Sequence, residues 1–238
     1  MTVKNVVILT GAGISAESGL GTFRDKDGIW TKYPLEDLAT PGGFQRNPDF
    51  VHEFYNARRQ QLKTARPNAG HEALVLLEHF IVANAGEFTL VTQNVDNLHE
   101  QAGSDPDRLV HMHGELAKSR CEHCDACAPC AVDLSVEMVC QTCRAAGGMR
   151  PHVVWFGEIP LEMDRIETAL AACDVFISIG TSGDVYPASG FVQLARRFGA
   201  RTVELNLEPS TNATLFGDAI YGLASEIVPQ WVQKFIGP

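Results

Sequence analysis

Val6-Val7-Ile8-Leu9-Thr10-Gly11-Ala12-Gly13-Ile14-Ser15-Ala16 is the stretch on which the fold turns. Its first half is a short run of β-branched and aliphatic residues, the pattern of a strand buried on both faces. The segment that follows directly fits G-x-G-x-x-G/A, in which small residues permit a tight turn and let backbone N–H groups approach a pyrophosphate at a helix start. A βα turn that needs glycine only for its own geometry would read the same way. The usual fingerprint adds an acidic residue at the end of a second strand about 20 residues on. That region here holds Phe23-Arg24-Asp25 in a loop, so the module is not that of a standard dehydrogenase. Glu208, after the run Thr202 to Leu207, offers a ribose-binding carboxylate, or else a solvated turn residue before Pro209.

Further runs of strand length recur at Phe88 to Thr92, Leu109 to Met112, Val153 to Phe156 and Val175 to Ile179. Helical patterns lie between and after them, at Asp49 to Thr64, Ala69 to Ala83, Leu161 to Ala172, Ala188 to Phe198 and Ser225 to Phe235, with Asn68 placed to cap the second. This alternation predicts an α/β fold, a Rossmann-like parallel sheet with helices on both faces. Two stretches break it. Residues 18–48, rich in Gly, Pro and Asp, are too long for an ordinary βα connection and read as a functional loop or small subdomain. Residues 121–143 hold six of the seven cysteines and little apolar periodicity.

Cys121-x2-Cys124 and Cys140-x2-Cys143, separated by 15 residues, have ribbon-type spacing for tetrahedral zinc. Four thiolates close the shell, so the ion is expected to be structural. Cys127 and Cys130 repeat the same local spacing and leave other pairs open; Cys121 and Cys124 are preferred because they leave the longer loop. Cys173, heading an apolar strand, reads as a small buried hydrophobe.

At 238 residues the chain can bury a substantial core. With 45% hydrophobic and 20% charged residues it has the composition of a globular protein, and no apolar run is long enough to span a bilayer. The formal charge of −10 and dispersed Lys and Arg argue against nucleic-acid binding, including a zinc-ribbon DNA reader. The first residues lack the pattern of a secretory signal, so a cytoplasmic protein is expected, and a monomer.

Gly11-Ala12-Gly13-Ile14-Ser15, Thr22-Phe23-Arg24-Asp25, Thr92-Gln93-Asn94-Val95-Asp96, His113-Gly114 followed by paired CxxC, Gly180-Thr181-Ser182 and Asn206-Leu207-Glu208 together resemble the sirtuins in order and spacing, over nearly the whole chain. The resemblance implies an NAD-binding Rossmann-like part at 1–113 and 151–238, a small zinc-ribbon-type insert at 114–150, and a cofactor-binding loop region at 18–48. It implies that Gly11 to Ser15, Thr22, Phe23, Arg24 and Trp30 cradle the cofactor. Gln93, Asn94, Val95 and Asp96 would face the nicotinamide and its ribose, and Gly180, Thr181, Ser182, Asn206, Glu208 and Ala224 the adenosine side. His113 matches the general base and His111 does not; without the resemblance, either histidine reads as a structural hydrogen-bonding group.

The implied reaction is lysine deacylation. The substrate's acyl oxygen attacks the nicotinamide ribose, nicotinamide leaves, and His113 deprotonates the ribose hydroxyl that attacks the resulting alkylimidate, giving free lysine and O-acyl-ADP-ribose. Val154, Phe156 and Gly157 match substrate-binding positions. Tyr55-x-x-Arg58 puts a phenol and a guanidinium on one helix face, a pair suited to a carboxylate, although an exposed aromatic and cation would give the same spacing. That pair with Ala39 is similar to class III sirtuins, which implies succinyl and malonyl groups as well as acetyl. Arg59 lies off the matching register. Two rival readings are mono-ADP-ribosyl transfer, against which Tyr55 and Arg58 argue, and a non-catalytic NAD-responsive zinc module.

Overall fold

The computed structural model describes residues 4–21 and 34–237. Strand β1 (Asn5–Thr10) is paired in parallel with β2 (Glu87–Thr92) on one side and β7 (Val175–Ile179) on the other. Outside these lie β3 (Leu109–His111), β8 (Arg201–Asn206) and β9 (Asp218–Tyr221), giving the order β3-β2-β1-β7-β8-β9 among the described residues. The chain moves outward in one direction from β1 to β3 and in the other from β7 to β9. The boundary between β1 and β7 is therefore a topological switch point, where the loops at the carboxyl ends of the strands diverge and open a crevice.

Side-chain alternation explains the helices on both faces. Val6 and Ile8 of β1, with Val175, Ile177 and Ile179 of β7, pack on α5 (Ala69–Ala83) and α9 (Ala224–Ile236) through Leu74, Leu77, Ile81, Val228 and Trp231. Val7, Leu9 and Phe176 point the other way, onto α7 (Met163–Ala172) and α8 (Phe191–Arg197) through Ile166, Leu170, Phe191 and Val192. Asn68 caps α5 as expected, its side chain accepting from Gly70 N–H at 2.9 Å. His71 takes the place a glutamate usually holds in a capping box, its Nδ1 accepting from Asn68 N–H at 3.3 Å.

The second sheet is antiparallel, with β4 (Gly114–Cys121) between β5 (Cys127–Pro129) and β6 (Met149–Val153). The run Val153 to Phe156 is not a strand of the parallel sheet; the pairing ends at Val153, on β4. Beyond it, Val154 N–H donates to His113 O at 2.9 Å and Trp155 N–H to the Glu158 carboxylate at 2.8 Å, so the backbone leaves the ladder. An apolar run states burial but not which sheet buries it. β9 was missed because every one of its residues is exposed at the sheet edge, leaving no apolar run to read.

Three helices, α2 (Leu35–Leu38), α3 (Pro41–Arg46) and α4 (Pro48–Leu62), cover the small sheet. Leu38, Phe44, Val51, Phe54 and Tyr55 share one apolar cluster with Leu116 of β4, Val153 of β6 and Trp155. Their core is thus that of the small sheet, although in sequence they follow β1.

The switch point is held shut at its base by glycine. Gly13 N–H donates to Gly180 O at 2.9 Å, and a Cβ on Gly180 would lie 2.5 Å from Ile14 N and 2.7 Å from Gly13 C. Gly180 also has φ +63, in the left-handed region. A Gly180→Ala change combines a backbone clash with αL strain of roughly 1–2 kcal/mol. Thermal denaturation should show a fall of several degrees in melting temperature; an unchanged value would mean that the two turns separate freely.

Candidate functional site

The predicted cofactor residues that the structure describes gather at the carboxyl edge of the parallel sheet. Gly11 to Ser15 form the turn after β1, leading into the short helix α1 (Ala12–Ser15). Gln93 to Asp96 follow β2, Gly180 to Ser182 follow β7, and Asn206 ends β8, with its side-chain amide donating to Thr181 O at 2.7 Å. Ala224 opens α9 beside Gly70, whose Cβ would meet Ala224 O at 3.1 Å. Glu208 is exposed beyond β8. Thr22, Phe23, Arg24 and Trp30 lie outside the described residues. Within the turn, Gly11 N–H bonds Ile179 O, Gly13 N–H bonds Gly180 O and Ile14 N–H bonds Gly11 O. Glycine is required here by the close approach of the Gly180 turn, and these three donors are satisfied internally.

Below the turn is a buried polar network. The Asn94 amide donates to Gly11 O and to Ser15 Oγ, both at 3.1 Å, and Ser15 Oγ donates to Asp96 at 3.0 Å. Burial raises the Asp96 pKa above the usual carboxylate value, opposed by bonds from Leu98 N–H and Ser15. His71 Nδ1 accepts from Asn68 N–H, so the ring proton sits on Nε2, which faces Ser15 Oγ at 3.5 Å. Burial holds the His71 pKa down at about 4. His99, on the short helix α6 (Leu98–Ala102) and bonded to Thr10 Oγ1 at 3.0 Å, is also pushed well below the ordinary value, by burial first and then by His71 and His111.

His111 and His113 flank the buried Met112, and their environments part them. His113 Nδ1 lies 3.0 Å from Gln93 O, an acceptor, so Nδ1 carries the proton and Nε2 the lone pair. Burial lowers its pKa and the Gln93 carbonyl opposes this, the net being a neutral ring near neutral pH. Burial would lower His111 as well, but its 2.9 Å bond to Glu100 and the Glu100 and Glu115 charges reverse the direction. Only His113 combines a fixed tautomer with an available basic nitrogen.

Segment 154–157 ties this edge to the smaller lobe. Val154 N–H binds His113 O, and Phe156 N–H binds Ala39 O at 2.8 Å. Phe156 and Gly157 are exposed, while Ala39 is buried at the end of α2. Tyr55 and Arg58 project from one face of α4, with the Arg58 guanidinium 5.9 Å from the Phe54 ring. Burial lowers the Arg58 pKa, while Tyr55 and Asp96 favour its charge. Arg59 turns away, its Nε donating to Leu116 O at 2.9 Å and its Nη1 to Asn56 at 2.8 Å.

The sulfurs of Cys121, Cys124, Cys140 and Cys143 lie within 4.8 Å of one another. The Cys121–Cys143 and Cys124–Cys140 separations are both 3.7 Å. A tetrahedron with metal–sulfur bonds of about 2.3 Å has edges of about 3.8 Å, so the donor set fits one structural zinc ion. The two halves repeat one design: Cys121 N–H bonds Ala126 O at 3.0 Å, and Cys140 N–H bonds Ala145 O at 2.9 Å. Asp125 and Arg144 follow the second cysteine of each half with φ of 55 and 64. Of the cysteine pairs left open, the structure selects the outer ones. Cys127 sits exposed on β5, and buried Cys130 donates to Val132 O at 3.3 Å. Cys173 is buried and donates to Leu170 O at 3.3 Å, in keeping with a packing role.

The Sir2 family model matches residues 11–187. The chain belongs to the Sir2 family. It is 59% identical over 234 residues to an NAD-dependent protein deacylase of Caulobacter vibrioides, covering 98% of each chain. To the NAD-dependent protein deacylase of Salmonella typhimurium it is 54% identical over 238 residues, covering 99% of this chain and 85% of that one. Among solved structures, a Sir2 homolog–NAD complex superposes with TM-score 0.87 at 35% identity, covering 99% and 91% of the two chains. A mutant Sir2 homologue with ADP-ribose gives TM-score 0.88 at 35% identity, covering 97% and 91%.

For this Sir2 chain, residue-level reading missed Ser15's central place in the polar network, the His71 and His99 pair, and Trp155. Each is distant in sequence from its partners. No helix among the described residues is long and apolar enough to cross a membrane.

Apart from the four sulfurs, the tip of the small sheet has only Met149, Ala126 and Met138 as its apolar cluster. Stripping the metal with a chelator should abolish hydrogen-exchange protection over 121–149 and leave β1, β2 and β7 protected, from a starting content of one zinc per chain. Unchanged protection would show that the metal is dispensable. In the unfolded chain His71 binds a proton near pH 6.5, in the folded chain only near 4, so acidification through that window favours unfolding. The His71 contribution is up to about 3 kcal/mol. Denaturant titrations from pH 7 to 4 should show this loss, and His71→Gln should flatten the profile.

Proposed function

We propose that this chain is an NAD-dependent protein-lysine deacylase whose acyl pocket takes succinyl and malonyl groups as well as acetyl. The observation that carries the reading is His113, a neutral imidazole with its proton held by Gln93 O, which leaves the lone pair on Nε2. NAD, when bound, supplies the activated ribose to which the acyl group passes. The fit to NAD rests on the β1/β7 switch point, where the close packing of the Gly11 and Gly180 turns admits only small residues at the base of the crevice.

In this reading Gly11, Ala12, Gly13, Ile14 and Ser15 bind the diphosphate, together with Thr22, Phe23, Arg24 and Trp30. Gln93, Asn94, Val95 and Asp96 orient the nicotinamide half, and Gly180, Thr181, Ser182, Asn206, Glu208 and Ala224 the adenosine half. His113 takes the proton of the ribose hydroxyl at Nε2, and its low pKa keeps that nitrogen free near neutral pH. Val154, Phe156 and Gly157 hold the peptide by the segment that bridges His113 and Ala39. Tyr55 and Arg58 bind the acyl carboxylate, with Ala39 leaving room for it.

The division that suits this work is a Rossmann-like part at 1–113 and 151–238 and a zinc insert at 114–150, with 18–48 as the cofactor-binding loop region. Helices α2 to α4 act with the insert, since they share its core. The partners are acylated lysines of proteins, the protein acts as a monomer, and the reducing cytoplasm suits a four-thiolate site.

A panel of acetyl-, malonyl- and succinyl-lysine peptides with NAD, read by mass spectrometry, tests the proposal. Wild type should release nicotinamide and form O-acyl-ADP-ribose from all three. Arg58→Met should reduce desuccinylation at least tenfold and deacetylation much less, and His113→Tyr should abolish turnover of every peptide while NAD still binds. Equal losses from Arg58→Met on both acyl groups would remove the acidic-acyl assignment, and no consumption of NAD with any peptide would remove the enzyme reading.

A further inference from the structure

Trp155 lies in the small lobe between two charged groups and an aromatic wall. Its Nε1 donates to the Tyr55 hydroxyl at 3.0 Å, and each of the two residues is only 2% exposed. We propose that Trp155 is a positioning residue for acyl selection, occupying the acceptor side of the Tyr55 oxygen and so aiming the phenolic proton at the acyl carboxylate. This rests on the assignment of Tyr55 and Arg58 as the carboxylate pair.

The chemistry of the two groups fixes the direction of the bond. An indole N–H can only donate, whereas a phenol has one proton to give and lone pairs to accept with. The Tyr55 oxygen therefore accepts from Trp155, and its own proton points elsewhere. Among the described residues the indole is the one hydrogen-bond partner of this hydroxyl. Burial, the largest influence on Tyr55, pushes its pKa up to about 12, so the phenol keeps its proton and remains a donor.

The indole itself cannot swing. The Arg150 guanidinium lies 3.3 Å from the ring centroid, and its nitrogens hold the two Glu158 oxygens at 2.7 and 2.9 Å and Val153 O at 2.8 Å. Glu158 accepts the Trp155 backbone N–H at 2.8 Å, and the Phe44 ring stands 5.3 Å away. The phenol is thus oriented before any ligand arrives, and the ordering is not charged against binding. An acetyl group has no carboxylate to receive the proton, so its turnover is indifferent to this arrangement.

Trp155→Phe keeps an aromatic ring and removes the N–H. KM for a succinyl-lysine peptide should rise roughly five- to tenfold with kcat little changed, and the acetyl-lysine constants should hold. In a Tyr55→Phe background the same change should leave the succinyl-to-acetyl ratio where Tyr55→Phe alone put it. Should Trp155→Phe unsettle the fold, benzothienylalanine at position 155, a ring of the same shape with sulfur in place of N–H, repeats the comparison. Equal losses on both peptides, or an effect on the ratio that persists without the phenol, overturns the proposal. Failure of the underlying pocket looks different, since Tyr55→Phe and Arg58→Met would then leave the ratio unmoved.

Discussion

At the carboxyl end of the central strands, backbone lies on backbone: Gly13 donates to Gly180 O at 2.9 Å, and no side chain fits between the two turns. β1 and β7 are adjacent yet lead their chains in opposite directions, and this contact brings their turns together where a crevice must open. Everything polar at this edge is placed relative to that contact. Asn94 reaches Gly11 O, Asn206 reaches Thr181 O, and Ser15 enters the interior directly behind the turn. Larger residues at these positions would push the turns apart and carry the network with them.

The second organising feature is segment 154–157, which lies where the two lobes meet. Through Val154 it holds the His113 backbone, through Phe156 the end of α2, and through Trp155 the Tyr55 phenol. The group proposed to move a proton and the groups proposed to select the acyl chain are thereby fixed to one short stretch of backbone. The zinc knuckles stabilise the far end of the same antiparallel sheet, whose own apolar cluster is small. Strand β4 runs from Gly114, next to His113, to the metal ligand Cys121, so the metal and the proposed base stand at opposite ends of one strand.

Burial sorts the histidines by their partners. Desolvation opposes the charged form of all four rings at this edge, yet Glu100 turns the His111 pKa upward while a carbonyl partner leaves that of His113 lowered. His71 and His99 have hydroxyl, amide and ring neighbours only, and they remain neutral at the expense of acid stability. One residue type thus serves as cap, ion-pair member and candidate base within one network.

Local pattern alone determined a good part of this protein. Alternating apolar runs specify β1, β2, β3, β7 and β8, because a strand buried on both faces must be apolar throughout. Asn68 before Ala69 specifies the start of α5, and paired CxxC at the right separation specifies four thiolates around one ion. Each of these signals is complete within a few residues or follows a fixed spacing. What only the tertiary structure decided are relations between distant segments. It ended the strand at the first residue of the run Val153 to Phe156 and placed that strand in an antiparallel sheet, joined helices α2 to α4 to that sheet's core, set Cys127 and Cys130 apart from the metal, and brought Trp155 onto Tyr55. Those outcomes depend on which surfaces meet when the chain closes, and periodicity along the chain states that a residue is buried without stating against what.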